Sequence, residues 1–390
     1  MNNFEWSFET KVIFGKYNEN KVGNECIKYG NRVLIVRSNG NHIESSGLMD
    51  KVRESLVNNN IEFCELSGIV PNPTIDKVRE GVKICLDKNI DLVLAIGGGS
   101  IIDTAKAISA GVYYNGDVWD LFTQNIQINK VLPLGVIPTI AASGSEGSIG
   151  AVITNPETNS KFDILSPLLR PKFAILNPEL TLTLSKYHTF CGVVDILSHA
   201  MERYFTNTEN VELTDRLGAA LMKTVINNGL ILVNDSTNYN ARAEIMWAST
   251  LAHNGLLDTG RNSCWASHMI ATELSAHYNA IHGATLSVII PAWMEYVYKY
   301  DLKRFAIFAS EVFNVEYDEN NLDLTAKQGI YEIKKFFSKL NMPITMRDLG
   351  IDDDSLFDKM SIQATRFGNI GCIKLLDTND VKNIFNIAYK

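Results

Sequence analysis

The amino-acid sequence predicts two folded parts: an α/β part on a parallel sheet over residues 1–184, and an all-α part over residues 185–390. Three observations predict this division. Short β-branched runs alternate with helix-period segments through the first half. A triple-glycine turn joins one of those runs to the helix behind it. From about Ser185 onward the β-runs stop, and long periodic segments such as DRLGAALMKTVINNGLILVN and QGIYEIKKFFSKL take over.

Taken in order, RVLIV (32–36) is the first buried strand, and GLMDKVRESLVNNN (47–60) follows with helical spacing. IEFCEL (61–66) is the next strand, and TIDKVREGVKICLDKN (74–89) is an amphipathic helix with a period near 3.6. DLVLAIGGGS (91–100) is an apolar run ending in the glycine turn; IIDTAKAISAGVYY is helical, and LPLGVIPT (132–139) is another buried strand. Strand and helix alternating at this pitch make a parallel sheet covered on both faces. The domain boundary is expected near LNPELTLTLS. There is no internal repeat and no low-complexity tract.

Composition narrows the class. Apolar residues make up 46% and charged residues 21%, as in an ordinary globular enzyme. A formal charge of -8 argues against a nucleic-acid surface or an anionic membrane as partner. The first residues, MNNFEWSFETKVIFGK, lack a signal-peptide pattern, and TLSVIIPAWM is too short to span a bilayer. The six cysteines are scattered with no Cys-x2-Cys pair, which fits buried thiols in a reducing cytoplasm.

AIGGGSIIDTAK places Gly97, Gly98 and Gly99 between a strand and a helix. Glycines let the backbone approach a phosphate, and the helix N-terminus offers free N–H groups, so the turn fits Rossmann-like nucleotide binding as well as a simple tight turn. Ser100 and Asp103 also form a Ser-x-x-Asp capping pattern. The motif is neither Gly-x-Gly-x-x-Gly nor a P-loop. A second small-residue loop, PTIAASGSEGS (138–148), follows the next strand, so one ligand can lie across the carboxyl edge of the sheet.

Five of the seven histidines fall between residues 199 and 282. Within GVVDILSHAMERY, Asp195 and His199 lie one helical turn apart on one face. His268 and His282 bracket a second segment. One carboxylate and three imidazoles suit iron(II) or zinc with an open coordination position, although a helix-face ion pair gives the same Asp-x3-His spacing.

Several motifs occur in one order along the whole chain: FGK near the N-terminus, PNP at 71–73, GGGSIIDTAK, PTIAASGSE, NPELTLTL, GVVDILSHAMERY, MWAST-x4-NGL and HGATLSVIIP. In these the chain resembles the iron-containing alcohol dehydrogenases, and among them the butanol-dehydrogenase-like, NADPH-dependent aldehyde reductases. The resemblance implies the dehydroquinate-synthase-like fold of that family, with a nucleotide-binding α/β domain and a helical metal-binding domain. It implies iron, or alternatively zinc, on Asp195, His199, His268 and His282. Cofactor contacts are implied at Asn72, at Gly98, Gly99 and Ser100, at Thr139 and Ser145, at Lys161, and at Leu180 and Thr183. It also implies an alcohol or aldehyde as small-molecule substrate and a homo-oligomer such as a dimer. Asp103 and Lys106 are left as helix start and helix face. The family fold also hosts glycerol-type dehydrogenases and dehydroquinate-synthase-like lyases, and a degenerate relative that binds metal or nucleotide without turnover is a further alternative.

Two departures from the family pattern matter. Many relatives carry a histidine where this chain has Thr272, four residues after His268, so His277 becomes the candidate proton donor. The strand RVLIV runs into Arg37, Ser38, Asn39 and Gly40 instead of the usual glycine-rich turn. NAD-selective sites place an acidic residue at that strand end. None stands here in sequence, and Arg37 can pair with a 2′-phosphate, so NADP(H) is expected to be preferred, with NAD(H) as the alternative.

Overall fold

The computed structural model describes residues 1–158 and 160–390, with the side chains of Asn41 and His42 outside the description. Two units emerge: Ser7–Leu184, and Ser185–Lys390 together with Met1–Trp6. The division falls after residue 184. The first six residues differ from the expectation: the Met1 amino group donates to Glu209 O (2.9 Å), and Asn2 N donates to Gly260 O (2.8 Å).

The α/β unit has strands β1 (Lys11–Phe14), β2 (Arg32–Arg37), β3 (Glu62–Leu66), β4 (Leu92–Gly97), β5 (Leu134–Pro138), β6 (Gly150–Asn155), β7 (Ser160–Leu165) and β8 (Phe173–Leu176). Its helices are α1 (Val22–Cys26), α2 (Asn41–Ser45), α3 (Leu48–Asn58), α4 (Ile75–Asp87), α5 (Gly99–Gly111) and α6 (Asp120–Thr123). Six strands form one sheet in the order β1-β8-β5-β4-β2-β3, every pair parallel. Strands β6 and β7 form a separate antiparallel hairpin.

Every residue of β4 and β5 is buried, which is why these runs read as continuous apolar strands and not as alternating ones. Alternate residues still serve different faces: Val33 and Ile35 of β2 and Leu92, Leu94 and Ile96 of β4 pack with Met49, Val52 and Leu56 of α3. Helix α5 covers the sheet beside α4. It starts at Gly99 with Gly98 as N-cap and no side-chain cap, so the expected Ser100–Asp103 capping box does not form.

The helical unit comprises α7 (Lys186–Tyr204), α8 (Glu212–Asn234), α9 (Tyr239–His253), α10 (Ala266–Tyr278), α11 (His282–Val297), α12 (Leu302–Phe313), α13 (Leu322–Lys339), α14 (Phe357–Ala364) and α15 (Thr378–Tyr389). Ser185 caps α7 by accepting from His188 N, and from Thr189 to Tyr204 every residue of that helix is buried. Helices α8, α9, α10 and α11 pack around it. By length and composition α8 could cross a bilayer; in this unit it packs against α7, α9 and α12. All six cysteines are thiols.

Candidate metal centre and dinucleotide site

Three helix segments bring the expected ligands together. Asp195 lies in the middle of α7, His268 in the first turn of α10, and His282 is the first residue of α11. Ligand atoms of Asp195, His268 and His282 all lie within 4.8 Å of one another. Asp195 Oδ1 is 3.9 Å from His268 Nε2, 3.9 Å from His282 Nε2 and 3.9 Å from His199 Nδ1. Around a tetrahedral ion with ligands at about 2.1 Å, donor atoms stand about 3.4 Å apart, so modest side-chain rotations would close this shell.

The groups are chemically ready for a cation. His199 Nδ1 is shut away from solvent with no hydrogen-bond partner among the described residues, an arrangement that is costly unless something electrophilic fills it. Burial, and then the neighbouring His253 and His268, hold the His199 imidazole well below its ordinary pKa, so it is neutral and has no proton to lose on binding. His268 is oriented from behind. Glu202 Oε1 accepts from its Nδ1 (3.0 Å) and its backbone N–H (2.9 Å), and from Ser267 Oγ (2.5 Å). With the proton on Nδ1, Nε2 keeps its lone pair toward Asp195.

Trp265 forms a wall of the cluster. Its ring centroid is 5.2 Å from His268, 6.1 Å from His199 and 5.7 Å from His253, and the Arg203 guanidinium sits 4.5 Å over it. Its backbone is left-handed, φ 59°, where it caps α10. Trp247, by contrast, is 38% exposed on α9. Sequence reasoning missed His253, whose ring lies 4.2 Å from that of His199, and Glu202. A signal for Glu202 existed: Asp195, His199 and Glu202 follow the i, i+4, i+7 stripe of one helix face.

His277 is not among the residues brought together. Nine residues separate it from His268 on α10, which puts it about half a turn around the helix and about 13.5 Å further along. It bonds Gln363 Oε1 on α14 (2.5 Å) and lies 3.9 Å from Glu273, which pairs with Arg366. That placement lends no support to the expected role of His277 as proton donor. His277→Ala is expected to lower turnover by less than about tenfold, since a positioned general acid contributes about 10²–10⁴-fold. Steady-state kinetics at unchanged metal content check this.

In the α/β unit, Gly98, Gly99 and Ser100 stand at the N-terminus of α5, as expected of an anion-binding turn. A side chain at Gly99 would press its Cβ to 2.6 Å from Ser143 Oγ, so the two small-residue loops touch. Thr139 N donates to Gly97 O (3.2 Å), and Ser145 Oγ donates to Asp103 (2.7 Å). Asn72, with a left-handed backbone, accepts from Lys161 Nζ at 2.9 Å across 89 positions. Leu180 packs on the core beneath β8, and Thr183 is exposed.

The end of β2 carries no acidic residue of its own, but Arg37 is paired with two carboxylates from elsewhere in the α/β unit, so it is not left open for a 2′-phosphate as expected. Its Nε pairs with Glu65 (2.7 Å) and its guanidinium with Glu44 (3.2 Å), and Arg53 joins the same two carboxylates. Arg37 also donates to Ser38 O (3.1 Å). Glu65 comes from β3, next to β2 in the sheet, which is why β2's own sequence gave no sign of it.

The chain thus joins a parallel-sheet unit with a glycine turn at a helix N-terminus to a helical unit that gathers a carboxylate and imidazoles. Residues 9–178 match the family model of iron-containing alcohol dehydrogenases, and residues 189–389 match the C-terminal model of the same family. The chain belongs to the iron-containing alcohol dehydrogenase family, whose members named below are alcohol dehydrogenases and aldehyde reductases. It is 42% identical over 392 residues to NADH-dependent butanol dehydrogenase A of Clostridium acetobutylicum, covering 100% of both chains. It is 34% identical to the NADPH-dependent aldehyde reductase YqhD of Escherichia coli over 91% of each. Among solved structures, NADH-dependent butanol dehydrogenase A of Thermotoga maritima superposes with a TM-score of 0.95 at 36% identity, covering 100% of this chain and 99% of that one.

Proposed function

We propose that this protein reduces a small aldehyde to its primary alcohol with NADH, using iron(II), or zinc, held by Asp195, His199, His268 and His282. The observation that carries the reading is the single carboxylate oxygen of Asp195 with three imidazole nitrogens at 3.9 Å. When bound, the metal supplies Lewis acidity toward a carbonyl oxygen, and the nicotinamide supplies hydride. Glu202 holds His268 in the tautomer and orientation that metal binding needs. Trp265 and the buried length of α7 exclude water from the imidazole side. Thr272 is no acid, and His277 is turned to α14, so the proton comes from solvent.

Cofactor choice follows from Arg37. A 2′-phosphate arriving at the end of β2 would meet Glu44 and Glu65, already bound to that arginine, and like charges placed together cost several kcal/mol. The relatives named for NADH point the same way. Loss of NADH absorbance with butanal, on iron-reconstituted, zinc-reconstituted and metal-free protein, tests the activity. We expect turnover only with metal, and kcat/KM for NADH at least about tenfold above that for NADPH. Glu65→Gln should narrow that ratio. Equal or better use of NADPH by the unaltered protein would overturn the preference; metal-independent turnover would overturn the reading as a whole.

A further inference from the structure

Two charged residues of α5 have no part in the site as described, yet their contacts lead into it. Lys106 is completely buried, and its Nζ donates to Ser148 O (2.9 Å), Ser148 Oγ (2.9 Å) and Gly150 O (2.8 Å). Burial pushes its ammonium down to about 8, a cost offset by three acceptors that a helix-face lysine would not need. One turn earlier, Asp103 accepts from Ser145 Oγ (2.7 Å) through one oxygen and from Val152 N (3.1 Å) through the other. The two side chains thus hold the stretch from residue 145 to residue 152 at both ends.

What that stretch connects makes the hold consequential. Upstream of both residues, Gly98 caps α5, and Gly99 and Ser100 open it. Residue 150 opens β6, which pairs with β7 so that Thr154 stands opposite Lys161. Lys161 in turn donates to Asn72, and Thr154 bridges to Thr74. Every proposed dinucleotide contact from residue 72 to residue 161 is therefore tied to one frame, with Asp103 and Lys106 at its joints. The bond to Asp103 also uses the only proton of the Ser145 hydroxyl, which leaves that oxygen lone pairs alone.

Resting on the cofactor reading above, we propose that Asp103 and Lys106 are positioning residues for the dinucleotide, and that Asp103 makes Ser145 an obligate acceptor. The group that Ser145 meets is then a donor, a ribose hydroxyl or the carboxamide N–H, and not a phosphate oxygen.

The test is a double-mutant cycle on the NADH dissociation constant of the metal-loaded enzyme, read by nicotinamide fluorescence without aldehyde. Ser145→Ala should weaken NADH about tenfold, the worth of one hydrogen bond to a well-placed group. Asp103→Leu should weaken it by a similar factor alone but by less than about threefold in the Ser145→Ala background. Lys106→Met should raise the NADH dissociation constant and leave the aldehyde KM and metal content unchanged. If Ser145→Ala has no effect, the cofactor reading of that residue fails. If Ser145→Ala weakens NADH while Asp103→Leu does not, or acts equally in both backgrounds, the reading stands and this inference falls. A Lys106→Met variant whose aldehyde KM rises as much as its NADH constant would likewise overturn it. Should Asp103→Leu not fold, Asp103→Asn enters the same cycle, with a smaller non-additive loss expected and an additive one overturning.

Discussion

His282→Ala is expected to lose its divalent metal and its turnover together while keeping its fold. His282 opens α11, and its side chain is 32% exposed, so truncation leaves no sealed core cavity. Its Nε2 is one of three imidazole nitrogens 3.9 Å from Asp195 Oδ1. Loss of a group that merely orients a ligand lowers metal affinity about 10- to 100-fold, so loss of a ligand should lower it by about 100-fold or more. Metal content after dialysis against a chelator, with circular dichroism as the control for folding, checks the expectation. A variant with full metal content and normal turnover would remove His282 from the set.

The second large effect is expected one layer out. Glu202 is 3% exposed and receives three hydrogen bonds at one oxygen, two of them from His268. Glu202→Gln keeps the shape but removes the charge that favours the Nδ1–H form of His268. Metal affinity should fall about 10- to 100-fold, with a smaller loss of thermal stability because the acceptor remains. Chelator competition measures the first and a melting curve the second. An unchanged metal affinity beside a lowered Tm would make Glu202 a tie between α7 and α10 and nothing more.

The four candidate ligands could be singled out because helical spacing and histidine clustering are local properties, and the core strands because continuous apolar runs of four to six residues in front of helices have few other readings. Strands β1 and β8 and the β6–β7 hairpin were not picked out, being short or half exposed. The errors share a cause: they concern groups whose partners lie far off in sequence. The environment of Arg37 depends on a glutamate from the adjacent strand, 28 positions away. Asp103 looked like a capping residue by spacing, yet its partners lie 42 and 49 positions on. Lys106 reads only as a helix-face lysine because α5 is buried nearly all round, so no periodicity separates an inner face from an outer one. His277 was suggested by nearness in sequence to His268, which a helix converts into opposite sides.

Trp265 shows how folding and chemistry can select different residues at one position. A left-handed backbone costs a residue with a Cβ about 1–3 kcal/mol and costs glycine almost nothing. Glycine there would relax the turn into α10, but it would also remove the ring that lines His199 and His268 and carries Arg203. A search for heat-resistant variants that is blind to turnover would therefore be drawn to this position, and a search for catalysts would be drawn away from it.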